Sequence, residues 1–462
     1  MNYKKMTREH LRQVIALSIP AVLAEISSII MQYIDAAMVG SLGANATAAI
    51  GLVSSTTWLF GGLCIALAAG FSIQAAQFVG AKQDEAAQRV LRQALACTLL
   101  FGLMISLVGI GISRYLPAWL GGEEAVQAEA SRYFFIYSCA LVAAQLRHTA
   151  GGMLQCSGDM RIPSKLNIMM CCLDVVFNSV LIFPDRQVSL FGVSFTVYGA
   201  GLGVTGAALG TALSEVVTAI LMVYAVCFRS SHLRLGKNGN WRPEKRCIHT
   251  ALRLALPMAF EHTVMCGAHI AETRIVAPLG TVAVAANSLS VTAESLCYMP
   301  GHGIGAAATT LVGQSIGAGE PELAKRYANL SVILGAAVMT CTGGLMFLCA
   351  PGMLAMLTPD AAIRALGVRV LRIEAFAEPL FAVSIVAAGA LRGAGDTLVP
   401  SLINLASMWG VRITAATLLA PRFGLVGVWI AMCGELCVRG IMFFVRLMRG
   451  RWAQRKILLS GE

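Results

Sequence analysis

The sequence predicts an all-α polytopic membrane protein, with twelve transmembrane helices in two six-helix bundles that an internal parallel repeat relates. Three observations predict this fold. Only 13% of the 462 residues are charged and 57% are hydrophobic, whereas soluble globular proteins carry about 25% charged residues. Apolar stretches of roughly 20 residues, long enough to cross a bilayer as helices, recur along the chain. The first half of the sequence also resembles the second half.

The apolar stretches are helices rather than barrel strands, because they are long and because backbone in lipid must satisfy its own hydrogen bonds. The predicted spans of the first half are 12–40, 45–75, 86–112, 128–156, 162–184 and 201–228. Those of the second half are 247–278, 282–312, 323–349, 362–391, 397–420 and 423–448. The predicted organisation is an N-terminal lobe (1–228), a cytoplasmic linker (229–246), a C-terminal lobe (247–448) and a cytoplasmic tail (449–462).

A constant offset of 237 residues aligns the two halves, as Pro20 with Pro257 and Gln77 with Gln314 show. The strongest match is LQCSGDMRIPSKLN (154–167) with LRGAGDTLVPSLIN (391–404). The alignment breaks only after residue 183, where the first half carries an extra loop. Because each half contains an even number of predicted helices, both halves start on the same side of the membrane. We therefore expect parallel lobes around a central cavity, as alternating access requires.

The net charge of +11 reflects membrane topology. Basic residues cluster before the first helix, in the segment 229–253 and at the C-terminal end. If twelve helices alternate in direction, these clusters share one side, which the positive-inside rule makes cytoplasmic. We therefore expect a multi-pass protein of the cytoplasmic (inner) membrane with both termini inside, and no nucleic acid among its partners. The fourteen cysteines are scattered and are expected to be ordinary small helix residues.

No enzyme motif occurs in the structural context that its chemistry requires. The glycines at 201, 203 and 206 match a dinucleotide-binding pattern, but no strand precedes them and no acid follows at the required spacing. The sequence contains neither a phosphate-binding loop nor a nucleophile–base–acid order. We therefore expect that the protein is not an enzyme, with no catalytic residue, no cofactor and no metal site.

Four motifs together resemble the multidrug and toxic compound extrusion (MATE) transporters, over nearly the whole chain. They are LSIPAVLAEISSIIMQYIDAAMVGSLG, the pair QFVGAKQ and QSIGAGE, the turn LRGAGDTLVP, and GLGVTGAALGTALSE. The resemblance implies a secondary active exporter that antiports amphipathic, often cationic compounds against H⁺ or Na⁺ by alternating access. Its partners would be small-molecule drugs or toxins and membrane lipid, and a monomer is expected. The alternative is a lipid-linked oligosaccharide or lipid flippase of the same superfamily, against which the acidic interior argues.

An aspartate in the first apolar helix, Asp35, is the first candidate for the coupling site. A carboxylate in the membrane costs about 2.5–3.5 kcal/mol on insertion scales, so one that is retained usually faces a cavity and binds something. The MATE resemblance implies a cation or proton site at Asp35. Asp174 and Asn178 lie four residues apart and therefore share a helix face. The resemblance adds Thr211. These oxygens could ligate Na⁺, and close carboxylates could share one proton.

Acids in the second half are candidates for a C-lobe site. The repeat places Glu272 at the position equivalent to Asp35. Glu261 lies near the seventh-helix position that the resemblance implies, and Glu374 and Glu378 are one turn apart in the tenth predicted helix. For each of them, pairing with a neighbouring helix or reaching an aqueous rim is the alternative.

Soft and aromatic side chains suit a promiscuous substrate cleft. The candidates are Met31, Tyr33, Trp58, Met265, Tyr298 and Met299. Packing between helices is the alternative role of each.

Overall fold

The computed structural model describes residues 3–190, 193–236, 239 and 241–454. The helices of the first half are α1 (Tyr3–Gly40), α2 (Ala44–Gly80), α3 (Asp84–Ile112), the short α4 (Leu116–Trp119), α5 (Glu124–Cys156), α6 (Arg161–Leu181) and α7 (Gly203–Tyr224). A π-helical turn, Ala225–Arg229, extends α7. The side chains of residues 1–7, 186–197 and 455–462 lie outside the described part. Residues 455–462 belong to the predicted cytoplasmic tail (449–462), so that part of the tail is not described.

The second half begins with α8 (Lys245–Val276), α9 (Thr281–Gly317) and α10 (Pro321–Leu357), where a 3₁₀ turn Ala277–Leu279 follows α8. The tenth predicted span is two helices, α11 (Ala361–Glu374) and α12 (Glu378–Gly393). The next is α13 (Leu398–Ser407), a π-helical segment Met408–Ile413 and α14 (Thr414–Phe423). The last span is α15 (Leu425–Met448), and a 3₁₀ turn Arg451–Gln454 follows it.

The prediction of an all-helical polytopic protein in two repeated halves is confirmed. Within the described residues, eight helices are long and apolar enough to cross a membrane. The four other predicted spans are also helical, but three contain ionisable residues such as Arg147, Glu261 and Glu294, and the tenth is interrupted after Glu374. Length and composition therefore support eight crossings directly, and the count of twelve stays a prediction for the other four.

Backbone geometry repeats with the same offset as the sequence. Gly43 and Gly280, which precede α2 and α9, have φ of 111° and 98°. Gly158 and Gly395 follow the ends of α5 and α12 with φ of 96° and 84°. Only glycine adopts such positive φ angles readily. These turns therefore repeat between the two halves at equivalent positions.

The extra loop of the first half forms a β-hairpin, which the all-helical prediction left undescribed. Its strands, β1 (Pro184–Leu190) and β2 (Val193–Ala200), pair antiparallel. The hairpin joins α6 to α7, and the backbone N–H groups of Gly201 and Leu202 donate to carbonyls of Phe183 and Leu181. It therefore fixes the approach of α7 to α6, which is where the candidate coupling residues meet.

The two lobes cross tightly at the C-terminal ends of α2 and α9. A Cβ added to Gly80 would lie 1.9 Å from the carbonyl oxygen of Gln314, and one added to Gly317 would lie 1.9 Å from that of Gln77. The side-chain amide of Gln314 donates to the carbonyl of Cys156 at 2.9 Å, across the lobe boundary. The amide of Gln77 reaches Gly393 in the same way at 3.5 Å. We call this two-fold arrangement the glutamine crossing.

Candidate functional site

Three predicted residues of the first half come together. The Nδ2 amide of Asn178 on α6 donates to Oδ1 of Asp35 on α1 and to Oδ2 of Asp174, at 2.9 Å each. The shared amide therefore holds the two carboxyl groups side by side. Asp174 and Asn178 are buried, and Asp35 is half-buried. Asp35 has no arginine partner among the described residues, so its charge is not neutralised by the protein.

Residues of α7 contact Asp174. We call Asp35 and Asp174 the acid pair. Ser214 Oγ donates to Asp174 Oδ1 at 3.3 Å, and Thr211, three residues earlier on α7, lies beside the same carboxyl group. Thr211 is among the residues predicted from the sequence and Ser214 is not, although a spacing of three residues places both on one helix face. A Cβ on Gly210 would lie 2.0 Å from Asn178 Oδ1. Glycine is therefore needed at 210 for α7 to pack against the acid pair.

One C-lobe candidate, Glu261, is fully engaged by protein groups. Nη2 of Arg392 lies 3.1 Å from both of its carboxylate oxygens. Ser401 Oγ and Asn404 Nδ2 donate to the same carboxylate at 2.6 Å each. Glu261 therefore sits in a complete structural ion pair.

Glu272, the repeat equivalent of Asp35, is also paired. Arg412, in the π-helical segment before α14, donates to Glu272 Oε1 at 2.7 Å. His269 Nδ1 lies 3.9 Å from the other carboxylate oxygen. Both members of the Glu272–Arg412 pair are largely buried, with side-chain exposures of 11%. The two lobes thus share a backbone plan but not the chemistry at this position.

Glu374 and Glu378 flank the interruption between α11 and α12. Both are 0% exposed, and within the described structure none of their four carboxylate oxygens has a hydrogen-bond partner. Glu294 on α9 is buried beside them and interacts electrostatically with both. Glu294 is not among the site residues predicted from the sequence, although an acid within an apolar helix is a signal that could have indicated it.

Two arginines border this group, but each already has a partner. Arg412 pairs with Glu272, as described above, and Arg439 lies 3.2 Å from Glu435, one turn earlier on α15. An unpaired buried carboxylate is unstable as an anion. Glu374 and Glu378 therefore lack the partners that would stabilise their anionic forms, and Glu294 adds a third acid beside them. We call Glu294, Glu374 and Glu378 the C-lobe acid cluster.

A cavity of about 630 Å³ lies between the lobes, and residues of both halves line it. Met31 is the one cleft candidate on its wall. Arg147 also lines it and forms a two-point ion pair with Glu215, at 2.6 and 3.0 Å. Glu25 and Arg392 complete its charged lining.

A second cavity of about 710 Å³ lies within the C-terminal half. Met265 and Tyr298 line it, together with Glu294 of the acid cluster. The three other cleft candidates line neither cavity. Tyr33 donates from its hydroxyl to the carbonyl of Thr292 at 2.5 Å, which ties α1 to α9. Trp58 is 70% exposed, and Met299 is half-buried on α9.

Two related helical bundles around a shared, charged cavity define a multi-pass membrane transporter. More particularly, the chain belongs to the MatE family. The MatE family model matches residues 20–180 and again residues 257–418, and the second match begins at the position the internal repeat predicts.

Curated relatives match over nearly the whole chain. A "probable multidrug resistance protein NorM" of Thermotoga maritima is 25% identical over 460 residues, which are 98% of this chain and 96% of the relative. The protein of the same description from Chromobacterium violaceum is 25% identical over 97% of this chain and 95% of its own length.

Solved structures share the fold. One described as the "outward-facing conformation of a multidrug resistance MATE family transporter" is 21% identical, with a TM-score of 0.88 over 97% of each chain. A second, from Pyrococcus furiosus, has a TM-score of 0.88 at 20% identity over 97% of each chain. Its description states that a reversed polarity of the binding pocket suggests a different function for that transporter.

Proposed function

We propose that this protein exports amphipathic, mostly cationic drugs or toxins by antiport with protons, through alternating access of its two lobes. The names of the curated relatives support drug export. The observation that carries the coupling proposal is the acid pair, in which Asp35 and Asp174 share the amide of Asn178. The acid pair has no basic partner in the described structure, so its charge is free to change during transport.

The geometry of the acid pair favours H⁺ over Na⁺. Two neighbouring carboxyl groups without a basic partner can share one proton. Asn178 turns its NH₂ group, not its oxygen, toward both acids. A sodium ion would instead require oxygens that converge on it. Sodium coupling would therefore require rotation of the Asn178 amide away from both carboxylates.

The transport cycle depends on coupling between drug binding and proton binding. In our proposal, protonation of the acid pair from outside lowers the affinity for the drug, and drug binding from inside lowers the affinity for the proton. The two effects are equal, because coupling between binding sites is reciprocal. The lobes change orientation when one ligand has replaced the other, so the proton enters as the drug leaves.

The available energy is sufficient for a neutral drug. A charge that moves down a potential of 100 mV yields about 2.3 kcal/mol, and one pH unit adds about 1.4 kcal/mol. A 100-fold drug gradient requires about 2.7 kcal/mol. For a monovalent cation exchanged against one proton, the voltage contributions cancel. A cationic drug then needs a larger pH difference or a second proton.

The C-lobe acid cluster is where we propose that a second proton is held. Glu374 and Glu378 are buried without hydrogen-bond partners in the described structure, so they are stable only when a cation neutralises them. They flank a break between α11 and α12, where the backbone can bend. A proton on this cluster would supply the extra charge that export of a cationic drug requires.

We also propose that the protein lies in the cytoplasmic membrane with both termini inside. Helix ends at the glutamine crossing adjoin basic residues such as Lys82, Arg161 and Lys325. The positive-inside rule then makes the glutamine crossing the cytoplasmic end. The lobes meet there, which corresponds to a state closed toward the cytoplasm.

Transport into proteoliposomes tests the proposal. Uptake of a fluorescent lipophilic cation is measured with an imposed pH gradient, sodium gradient or voltage, each applied alone. We expect the pH gradient to drive uptake, and a sodium gradient at constant pH to have no effect. Uptake driven by sodium alone would contradict proton coupling, and flux without any coupling would contradict antiport. Glu322→Gln, which removes an exposed acid on α10, is the control variant and should transport like the wild type.

A further inference from the structure

The cavity between the lobes is lined by an acid that has no ion-pair partner among the described residues. Arg147 on its wall is matched by Glu215, and Arg392 is matched by Glu261, in both cases at 3.1 Å or less. Glu25 on α1 is the remaining ionisable carboxylate of the lining. The charged groups around this cavity thus sum to one uncompensated negative charge.

Glu25 has no hydrogen-bond donor among the described side chains. Its charged neighbour is Arg147, but the guanidinium of Arg147 already has its Nε and Nη2 on Glu215 and its Nη1 directed at Asn167. Arg147 therefore hydrogen-bonds to Glu215 and interacts with Glu25 only electrostatically, without a hydrogen bond. The Glu25 carboxylate is left to face the cavity.

The rest of the cavity wall offers apolar, adaptable surface near Glu25. Met31, Met222 and Met258 line it from both lobes, together with Ile65. Thioether side chains adjust to ligands of varied shape. An acid beside such a surface matches a cation that carries apolar groups around its charge.

We infer that Glu25 is the residue that recognises the charge of the transported drug, and that the cavity selects amphiphiles with a single positive charge. This inference rests on the proposed function and adds the specificity-determining residue to it. One free acid balances one positive charge. Arg147 and Arg392, although paired, disfavour a second positive charge.

Glu25 and Asp35 are separate sites on one helix. Ten residues of α1 correspond to about 15 Å along the helix axis, and Asp35 does not line this cavity. Drug and proton therefore bind at different places, and coupling between them passes through α1 rather than through direct competition for one carboxylate.

A pair of probes with the same shape and opposite charge tests the inference. Tetraphenylphosphonium and tetraphenylborate binding are measured on the full-length protein in lipid nanodiscs, for the wild type, Glu25→Gln and the control Glu322→Gln. We expect the wild type to prefer the phosphonium. Glu25→Gln should weaken phosphonium binding about tenfold, which corresponds to about 1.4 kcal/mol, and leave borate binding unchanged or stronger. The control should bind both ions like the wild type.

A double variant returns the charge to the same cavity. Gln32 is seven residues after Glu25 on α1 and also lines the cavity, so Glu25→Gln with Gln32→Glu restores an acid there. We expect this variant to regain phosphonium affinity. No recovery would show that the loss came from rearrangement around Arg147, and would overturn the inference.

The remaining outcomes separate the inference from the proposed function. Equal phosphonium binding by the wild type and Glu25→Gln would overturn the role of Glu25, but proton-driven export would stand. Loss of both ions in Glu25→Gln would show a structural role and would also overturn the inference. A wild type that prefers the borate would contradict both the inference and the proposed export of cations.

Discussion

One methyl group at the glutamine crossing should alter the balance between the two orientations of the transporter. In the present structure, a Cβ on Gly80 would lie 1.9 Å from the Gln314 carbonyl oxygen. Ordinary van der Waals contacts of a Cβ begin at 3.4 Å. Gly80→Ala therefore requires α2 and α9 to separate by about 1.5 Å at this point, the difference between these two distances. Backbone opposes backbone, so no side chain can rotate away to relieve the contact.

The cost applies only to the state that is closed at this end. Overpacking of a close contact typically costs 1–3 kcal/mol, which shifts a two-state equilibrium by about 5- to 150-fold. When the lobes separate at the glutamine crossing, the added methyl group meets nothing. We therefore expect Gly80→Ala to raise the population of the state that is open toward the proposed cytoplasmic side.

A native thiol reports this change. Cys156 is buried at 4% exposure, and its carbonyl accepts the hydrogen bond from Gln314. Alkylation of Cys156 by a maleimide is followed by mass spectrometry of the peptide that contains it. We expect Gly80→Ala to speed this labelling at least fivefold.

The matched control is Gly51→Ala, on the same helix at a position where an added Cβ has nothing within 4 Å. It should label like the wild type. If Gly80→Ala folds and also leaves Cys156 as protected as in the wild type, the glutamine crossing is not the closed gate.

Three further predictions follow from the buried charges. Arg412→Met should lower the free energy of unfolding by about 3–5 kcal/mol, because it leaves Glu272 buried and unpaired. The additional substitution Glu272→Gln should recover much of this loss. If it recovers none, the Glu272–Arg412 pairing is contradicted. Glu378→Gln should fold at least as stably as the wild type and yet reduce proton-driven export of a cationic dye in proteoliposomes; undiminished export would exclude it from coupling. Gly210→Ala should displace Asn178, which bridges the acid pair, and weaken proton coupling, measured as dye uptake per pH unit. The control Gly434→Ala, with nothing near its added Cβ, should not weaken it. Equal coupling in both variants would refute the role of the Asn178 bridge.

The sequence alone predicted what depends on periodicity and repetition. Apolar length located the helices, and the offset seen at Gln77 and Gln314 predicted parallel lobes. The four-residue spacing of Asp174 and Asn178 predicted a shared helix face, on which they do meet. These features are local or repeat along the chain, so they can be recognised from the sequence alone.

The partners of the buried acids could not be predicted in this way. Glu261 and Glu272 looked like site residues, but Arg392 and Arg412 engage them from about 130 and 140 residues away. Which acid meets an arginine depends on helix packing, and the repeat gave no guide because the two lobes differ in these side chains. Glu25 stood out only once the structure showed which of its neighbours were already paired.

The most direct measurement is the protonation state of Asp35 and Asp174 when a drug binds. Infrared difference spectra of the wild type, recorded with and without tetraphenylphosphonium, should show the loss of a protonated carboxyl band. The same band should be absent from the difference spectrum of Asp35→Asn, which should still bind the ion. A band that persists unchanged in Asp35→Asn, or no carboxyl signal in the wild type, would contradict proton exchange at the acid pair.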